Sequence, residues 1–364
     1  MNPTVPFNVL YKTPYKTAYA RLQQQMKVYL MNKNTTTVRA YQWGALALTL
    51  MTAAPASALV INPTYDASVA ANFGANTAAF QNAFNYAATI IASNFSDNVT
   101  VNINVKGAAG TSILGQTSQS VYRFGSGTNS YNSLYNLLAA DSKTADDAAS
   151  LAAGGSATAA DPAGGNGTWW ATSAQLKALG QFAGNNPASD GDITLGAGFT
   201  YAFDPNNRAV SGAYDIIGIM MHEITEIMGR IGLSGGTLGS LTSYTLLDAF
   251  SFKGPGVRGL GSDSGNWFSI DGGATLIKEF NGVSGGDTRD WASGTLDSFN
   301  AFSNSGVLNP LTSAGLRSTD VIGWDFIVTN NNNNNNVPEP SALGLFGLAA
   351  VGLAWRKRSK STRA

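Results

Sequence analysis

The chain has 364 residues, no cysteine, and equal numbers of basic and acidic side chains, 22 of each. Eleven of the basic residues lie before residue 58 or after residue 355, so the stretch 59–338 has 11 basic against 21 acidic residues and a net charge of −10. Such an acidic body excludes nucleic acid as a partner, because its charge repels phosphates. The absence of cysteine excludes disulfides, so burial of a core must hold the fold together.

Residues 1–58 have the pattern of a secretory signal region. A positively charged segment precedes an apolar run at 43–54, which is too short to span a bilayer stably, and a small-residue cleavage site follows. We therefore expect export, with a mature chain that begins at Leu59. Met26 and Met31 are alternative translation starts.

Residues 59–329 are predicted to form one α+β domain with long loops. Apolar residues at helical spacing predict a helix over Thr77–Ala92, and alternating apolar residues predict a strand over Val99–Val105. A strand-like segment follows at 193–203, and residues 320–326 close the domain. The other predicted elements are a helix over 141–151 and a short helix that is capped by Thr172 and ends at Gly180.

The most informative segment is a helix predicted over 212–228, with Ser211 as its N-cap. Most of its surface is apolar, which predicts burial, yet it carries His222, Glu223 and Glu226. His222 is the only histidine in the chain, and the body before the tail has only three glutamates, two of which follow that histidine closely. Buried helices rarely carry ionisable groups without a functional reason.

The spacing of these residues is typical of a metal site. His222 and Glu226 are four residues apart and so lie on one helical face, where both can bind one ion. Glu223 is turned by about 100° and can reach a water molecule at that ion. In HExxH metalloproteases the first and last residues bind zinc and the glutamate is the general base.

The segment Met221–Arg230, MHEITEIMGR, resembles the active-site helix of the zincins, and is most similar to metalloproteases that end in PEP-CTERM tails. This resemblance implies a zincin-like domain, with a central active-site helix packed on a mixed sheet, that hydrolyses peptide bonds in peptides or proteins. It implies that His222 and Glu226 bind zinc and that Glu223 is the catalytic base.

The segment also departs from the zincin pattern, because Glu226 replaces the second histidine and no other histidine exists. The site must therefore combine one histidine with carboxylates. We expect Zn²⁺, although such oxygen donors also suit Mn²⁺, and Ca²⁺ is not excluded. The glycine-rich stretch 285–291 contains Asp287 and Asp290, and we predict Asp287 as the third ligand, with Asp248 as the next choice.

Other interpretations remain open at this stage. Glu226 and Arg230 could form an ordinary helical ion pair, and His222 could be a satisfied core histidine. The chain could then be a non-catalytic cell-surface or matrix protein on a degenerate zincin scaffold. It could also be a module that binds exopolysaccharide through exposed aromatic residues such as Trp169 and Trp170.

The C-terminal end carries a second export-related pattern. An asparagine-rich linker occupies 330–336, and it is followed by Pro-Glu-Pro at 338–340, an apolar stretch at 342–355 and the basic residues 356–358. Residues 337–364 resemble a PEP-CTERM sorting tail. This resemblance implies passage through the inner membrane, recognition by an exosortase, a transient membrane anchor, and delivery to the cell surface or an extracellular matrix.

Overall fold

The structure is a computed structural model that describes residues 59–124 and 128–327. The predicted signal region 1–58, linker 330–336 and tail 337–364, with its membrane helix, lie outside the described residues. Within the described ranges, none of the helices has both the length and the apolar character that a membrane crossing needs.

The described residues form seven α-helices and fourteen strands. The α-helices are α1 (Ala67–Phe73), α2 (Thr77–Ala92), α3 (Thr128–Asp141), α4 (Ala145–Leu151), α5 (Ser173–Ala178), α6 (Ile216–Ile227) and α7 (Ser313–Asp320). The strands are β1 (Val60–Tyr65), β2 (Thr100–Ala108), β3 (Gly115–Gln119), β4 (Val121–Arg123), β5 (Thr168–Thr172), β6 (Gly191–Gly196), β7 (Tyr201–Ala202), β8 (Tyr214–Asp215), β9 (Thr237–Leu238), β10 (Leu241–Thr245), β11 (Ser251–Gly254), β12 (Val257–Arg258), β13 (Trp267–Phe268) and β14 (Lys278–Glu279). Short 3₁₀ helices occupy Gly74–Asn76 and Leu246–Phe250.

The largest elements build a mixed four-stranded sheet in the order β1-β2-β6-β3. Strands β1, β2 and β6 are parallel, whereas β3 runs antiparallel to β6 at the edge. The other strands form two four-stranded sheets, β4-β5-β10-β9 and β12-β11-β13-β14, and the pair β7-β8. The predicted α+β class is therefore confirmed.

Local sequence explains several of these elements. Helix α2 has the predicted bounds, and alternate residues of β2 are buried as the pattern requires. The predicted strand 193–203 is instead two strands, because a turn at 197–200 separates β6 from β7. The predicted helix 141–151 is the end of α3 followed by α4, since Thr144 begins a new helix with a capping box.

Helix α6 is shorter than predicted at its N-terminus. Asp215 rather than Ser211 is the N-cap, because its carboxylate accepts a hydrogen bond from the Gly218 amide at 3.1 Å. Arg208 holds the same carboxylate through two bonds of 2.9 Å. The Asn309 amide also donates to it at 2.9 Å, so Asp215 ties the start of α6 to the loop that precedes α7.

The C-terminal end of α6 is held by distant parts of the chain. Gly229 follows the helix with φ +102°, a conformation that favours glycine. The Thr172 hydroxyl donates to the Ile227 carbonyl at 2.9 Å, and the Trp324 indole donates to the Met228 carbonyl at 2.7 Å. The helix packs against α2 on one side and against β3 and β6 on the other. It is therefore fixed at both ends and on two faces.

A cluster of carboxylates surrounds Lys143. This lysine pairs with Asp325 and lies 3.6 Å from Asp141, and the Asp97 carboxylate accepts from the Asp325 amide at 2.9 Å. Burial raises the pKa of Asp97 to about 6 and that of Asp320 to about 7. Burial, together with the charge of Asp325, raises the pKa of Asp141 to about 7. These groups therefore bind protons more tightly in the folded chain than in the unfolded chain.

The free energy of unfolding is expected to decrease as the pH rises from about 4 to about 7. A raised folded-state pKa gives stability that is complete below the unfolded value of 3.8 and is lost as the pH rises through about 7. Asp141→Asn should reduce this decrease by about 2 kcal/mol, well below the full value of the shift because the side chain is partly hydrated. Urea unfolding in the presence of a chelator measures it. The exposed Asp204→Asn is the control, and an unchanged pH dependence in Asp141→Asn would contradict the prediction.

Candidate metal centre

His222, Glu226 and Asp290 converge beside α6. Their ligand atoms all lie within 4.8 Å of one another. The His222 Nε2 atom is 3.5 Å from Glu226 Oε1 and 3.5 Å from Asp290 Oδ2. These separations are long for hydrogen bonds, but they are close to the ~3.3 Å that separates two ligands held at 2.0–2.1 Å from a tetrahedral ion.

The orientation of the imidazole also fits a metal ligand. The Nδ1–H of His222 donates to the Ser298 carbonyl at 2.9 Å, which fixes the tautomer and leaves the Nε2 lone pair directed at the two carboxylates. The ring is only 14% exposed. One imidazole nitrogen and two carboxylate oxygens therefore form a donor set that suits Zn²⁺ or Mn²⁺.

Asp290 is held in place by Arg230, the residue just beyond α6. The guanidinium donates to Asp290 Oδ1 at 2.9 Å and to the Arg289 carbonyl at 3.2 Å, and it lies 4.1 Å from the centre of the Phe299 ring. Oδ1 is thus occupied, whereas Oδ2 faces His222. The alternative prediction of a helical ion pair between Glu226 and Arg230 is wrong, because the guanidinium pairs with Asp290 instead.

Glu223 lies next to this cluster, against the edge strand β3. The Thr117 hydroxyl donates to Glu223 Oε2 at 2.5 Å. A Cβ atom at Gly115 would lie 2.3 Å from Glu223 Oε1, so only glycine leaves room for the carboxylate there. Strand β3 therefore positions Glu223 through one hydroxyl and one missing side chain.

The four ionisable groups shift one another's protonation. Burial opposes the charge of His222, but Asp290 and Glu226 outweigh it and raise the pKa of the imidazole to about 10. Burial raises the pKa of Glu223 to about 8, with a contribution from the charge of Glu226, and raises the pKa of Asp290 to about 6. Burial acts against ionisation of Glu226 as well, but the nearby His222 and Arg230 outweigh it and lower the pKa of Glu226. Without a metal ion, the site therefore favours binding of a proton instead.

The structure places the two aspartates predicted as third ligands differently. Asp287 lines the same cavity at its edge, where its side chain is exposed to solvent. The surrounding protein removes part of its hydration, and this loss and the charge of Glu226 raise its pKa. Asp248 is fully buried away from the cluster, where it pairs with Arg289 at 2.7 Å and caps a 3₁₀ helix. It is Asp290 that meets His222 and Glu226.

Trp169 and Trp170 were predicted to be exposed, but one is buried and the other is half-buried. Trp169 is 0% exposed, because β5 is an inner strand of its sheet and the indole packs on Tyr131 and Tyr244 with ring centres 4.8 and 5.3 Å away. Trp170 is half-buried and donates to the Ser243 hydroxyl at 3.0 Å. The expectation that Trp169 offers a surface for exopolysaccharide is therefore wrong.

The cluster opens into a cavity of about 630 Å³. One wall is the start of β3 from Leu114 to Thr117, and another is α6. Two loops, 285–290 and 297–309, complete it. The ionisable cluster thus has space for part of a polymer chain beside it.

Comparison with known proteins identifies one segment. Residues 336–359 match the PEP-CTERM protein-sorting motif. The match confirms the predicted sorting tail, and it indicates that the chain is exported, sorted through a C-terminal membrane-associated signal and recognised by exosortase machinery. No curated protein and no solved structure is significantly similar to the chain. The PEP-CTERM match covers the tail alone, so function of the body has to be argued from the site.

Sequence reasoning missed three contributors to this site. Asp290 was visible only as a neighbour of Asp287, and a buried arginine just past the helix was the signal that could have selected it. Ser298 contributes a main-chain carbonyl, which leaves no trace in side-chain patterns. The Gly115-x-Thr117 pair in β3 carries no recognised motif.

Proposed function

We propose that this protein is a surface-directed, metal-dependent endopeptidase with a zincin-like domain. The observation that carries the proposal is the convergence of His222, Glu226 and Asp290 within 4.8 Å, with Glu223 beside them in one cavity. Asp290 replaces Asp287 as the proposed third ligand.

The surroundings of the cluster support a peptide as the substrate. Strand β3 is an edge strand that lines the cavity, and an edge strand offers main-chain groups with which an extended peptide can pair. A helix packed on a mixed sheet is also the arrangement that the resemblance to zincins implies. The PEP-CTERM tail directs this domain to the cell exterior.

Each residue has a distinct role in the proposed hydrolysis. A divalent ion, held by His222, Glu226 and Asp290, supplies Lewis acidity that polarises the scissile carbonyl and makes water acidic near pH 7. Glu223 accepts the proton of the attacking water and delivers it to the leaving amine. Glu223 is only 5% exposed, and this burial raises its pKa to about 8, whereas the positive charge of an ion would favour its ionised form.

The second candidate is a non-catalytic cell-surface or matrix protein on the same scaffold. The sorting tail alone favours it, since the PEP-CTERM motif specifies destination and no chemistry. A scaffold without activity has no need for a buried carboxylate at Glu223, so the state of that residue separates the two candidates.

Metal content and hydrolysis of an unfolded protein substrate test the proposal. We expect the purified body, residues 59–329, to contain about one zinc or manganese ion per chain and to cleave the substrate. A chelator should abolish cleavage, and addition of either metal should restore it. A chain that binds neither metal and cleaves nothing would leave the non-catalytic candidate.

A further inference from the structure

The cavity is strongly acidic. Five carboxylates line it, and none of the lysines or arginines in the described ranges does. Two of the five have a basic partner behind the wall: Asp297 pairs with Lys278 at 2.6 Å and Asp290 with Arg230 at 2.9 Å. A bound divalent ion offsets two further charges, so one negative charge remains in the loaded site.

We assign the one uncompensated negative charge of the cavity to Asp287. Among the described residues, no lysine or arginine forms a salt bridge with its carboxylate, which lies beside Glu226, and the side chain is exposed at the cavity edge. By contrast, Glu223 is held by Thr117 and packed against β3. Asp287 also follows Gly285 and Gly286, so the two preceding residues add no side chain beside it.

An apolar surface lies directly beside this carboxylate. Phe302 lines the cavity and is 37% exposed. A Cβ atom at Gly286 would be 2.9 Å from Phe302 Cζ, so the ring lies against the main chain next to Asp287. A carboxylate beside an exposed aromatic ring fits a side chain with an apolar stem and a cationic end.

The cavity wall also contains a hydroxyl group that makes no hydrogen bond within the described residues. The Ser298 hydroxyl has no hydrogen-bond partner although the residue is only 5% exposed, and Ser298 lines the cavity. Buried polar atoms are nearly always paired with protein groups, ordered water or a ligand, so this hydroxyl has the capacity to pair with a group that enters the cavity. A peptide main chain has the donors and acceptors to do so.

We propose that the cavity selects substrates with a lysine or arginine side chain next to the scissile bond, and that Asp287 and Phe302 form the subsite for it. This inference rests on the proposed function. It assigns Asp287 to substrate selection and leaves metal binding to the other three residues.

Paired peptides that differ at one position test this inference on the metal-loaded, full-length chain. One peptide has lysine at that position, and its partner has norleucine, which keeps the stem and removes the charge. We expect kcat/KM to be about tenfold higher for the lysine peptide. Asp287→Asn should remove the difference by raising KM with little change in kcat, since uniform binding is lost. Asp287→Lys should reverse the preference, so that the norleucine peptide becomes the better substrate.

Three controls make the result decisive. Asp204→Asn, which removes one exposed charge outside the cavity, should keep the lysine preference. Metal content should be unchanged in Asp287→Asn, and loss of the ion there would overturn the inference by making Asp287 a ligand. Binding of both peptides to Glu223→Gln is measured as well. Lysine-selective, Asp287-dependent binding without hydrolysis in the parent would refute the peptidase but support the subsite, whereas equal binding and equal hydrolysis of both peptides would overturn the subsite.

Discussion

Glu223→Gln is expected to lower kcat for peptide hydrolysis by about 10³-fold while the metal content stays at the level of the parent. General base catalysis contributes on the order of 10²–10⁴-fold, and glutamine cannot accept the proton of water. Its amide has the same shape as the carboxylate, and its oxygen can still accept the Thr117 hydroxyl. Initial rates at saturating substrate, together with elemental analysis of the same preparations, measure both effects.

The chain offers a matched control for this substitution. Glu279 on β14 is the third glutamate of the body and lies outside the cavity lining, so Glu279→Gln should keep the parent rate. Hydrolysis by Glu223→Gln at the parent rate would remove Glu223 from the mechanism. Loss of the ion in Glu223→Gln would instead mean that this residue holds the metal.

His222→Ala is expected to lower zinc affinity by about 100-fold or more. A structural zinc site with four ligands contributes about 10–16 kcal/mol, so the loss of one ligand removes about 3 kcal/mol. Asp290→Asn should give a comparable loss, because its Oδ2 atom faces His222 Nε2 at 3.5 Å. Competition with a chromophoric chelator measures the affinities.

Folding has to be followed alongside affinity in these variants. Asp290→Asn also weakens the buried pair with Arg230, and disrupting such a pair costs about 3–5 kcal/mol. His222→Ala keeps that pair intact, so it separates metal loss from unfolding. Zinc affinity in a folded His222→Ala that equals the parent value would show that the ion binds elsewhere.

The sequence predicts the helical part of this site well, because the 3.6-residue period alone brings His222 and Glu226 to one face. The same argument predicts α2, since its apolar positions leave no other way to bury them. The bounds of α6 were less accurate. Both Ser211 and Asp215 are good N-caps, and the choice depends on Arg208, whose contact with Asp215 arises only in the folded chain.

The third ligand illustrates what periodicity cannot give. Asp287 and Asp290 lie three residues apart in an irregular loop, where one turn decides which carboxylate faces the helix. Burial of Arg230 settles the choice, because an unpaired guanidinium in the core would be costly. Asp248 was misjudged for a related reason, since its partner is the equally buried Arg289. The sequence can suggest that such an arginine needs a partner, but only the fold shows which carboxylate pairs with it.

The hydrogen bond from Trp324 to the end of α6 affects when the metal-binding site can form during synthesis and export. A chain made and exported from its N-terminus presents His222 and Glu226 about 100 residues before Trp324 emerges. Until then the Met228 carbonyl lacks its indole partner, and burying it unpaired would cost about 1–3 kcal/mol. We therefore expect the metal-binding arrangement to mature only when nearly the whole body has left the translocation channel. If the proposed peptidase activity holds, this delay would keep the site inactive until the body has left the cytoplasm.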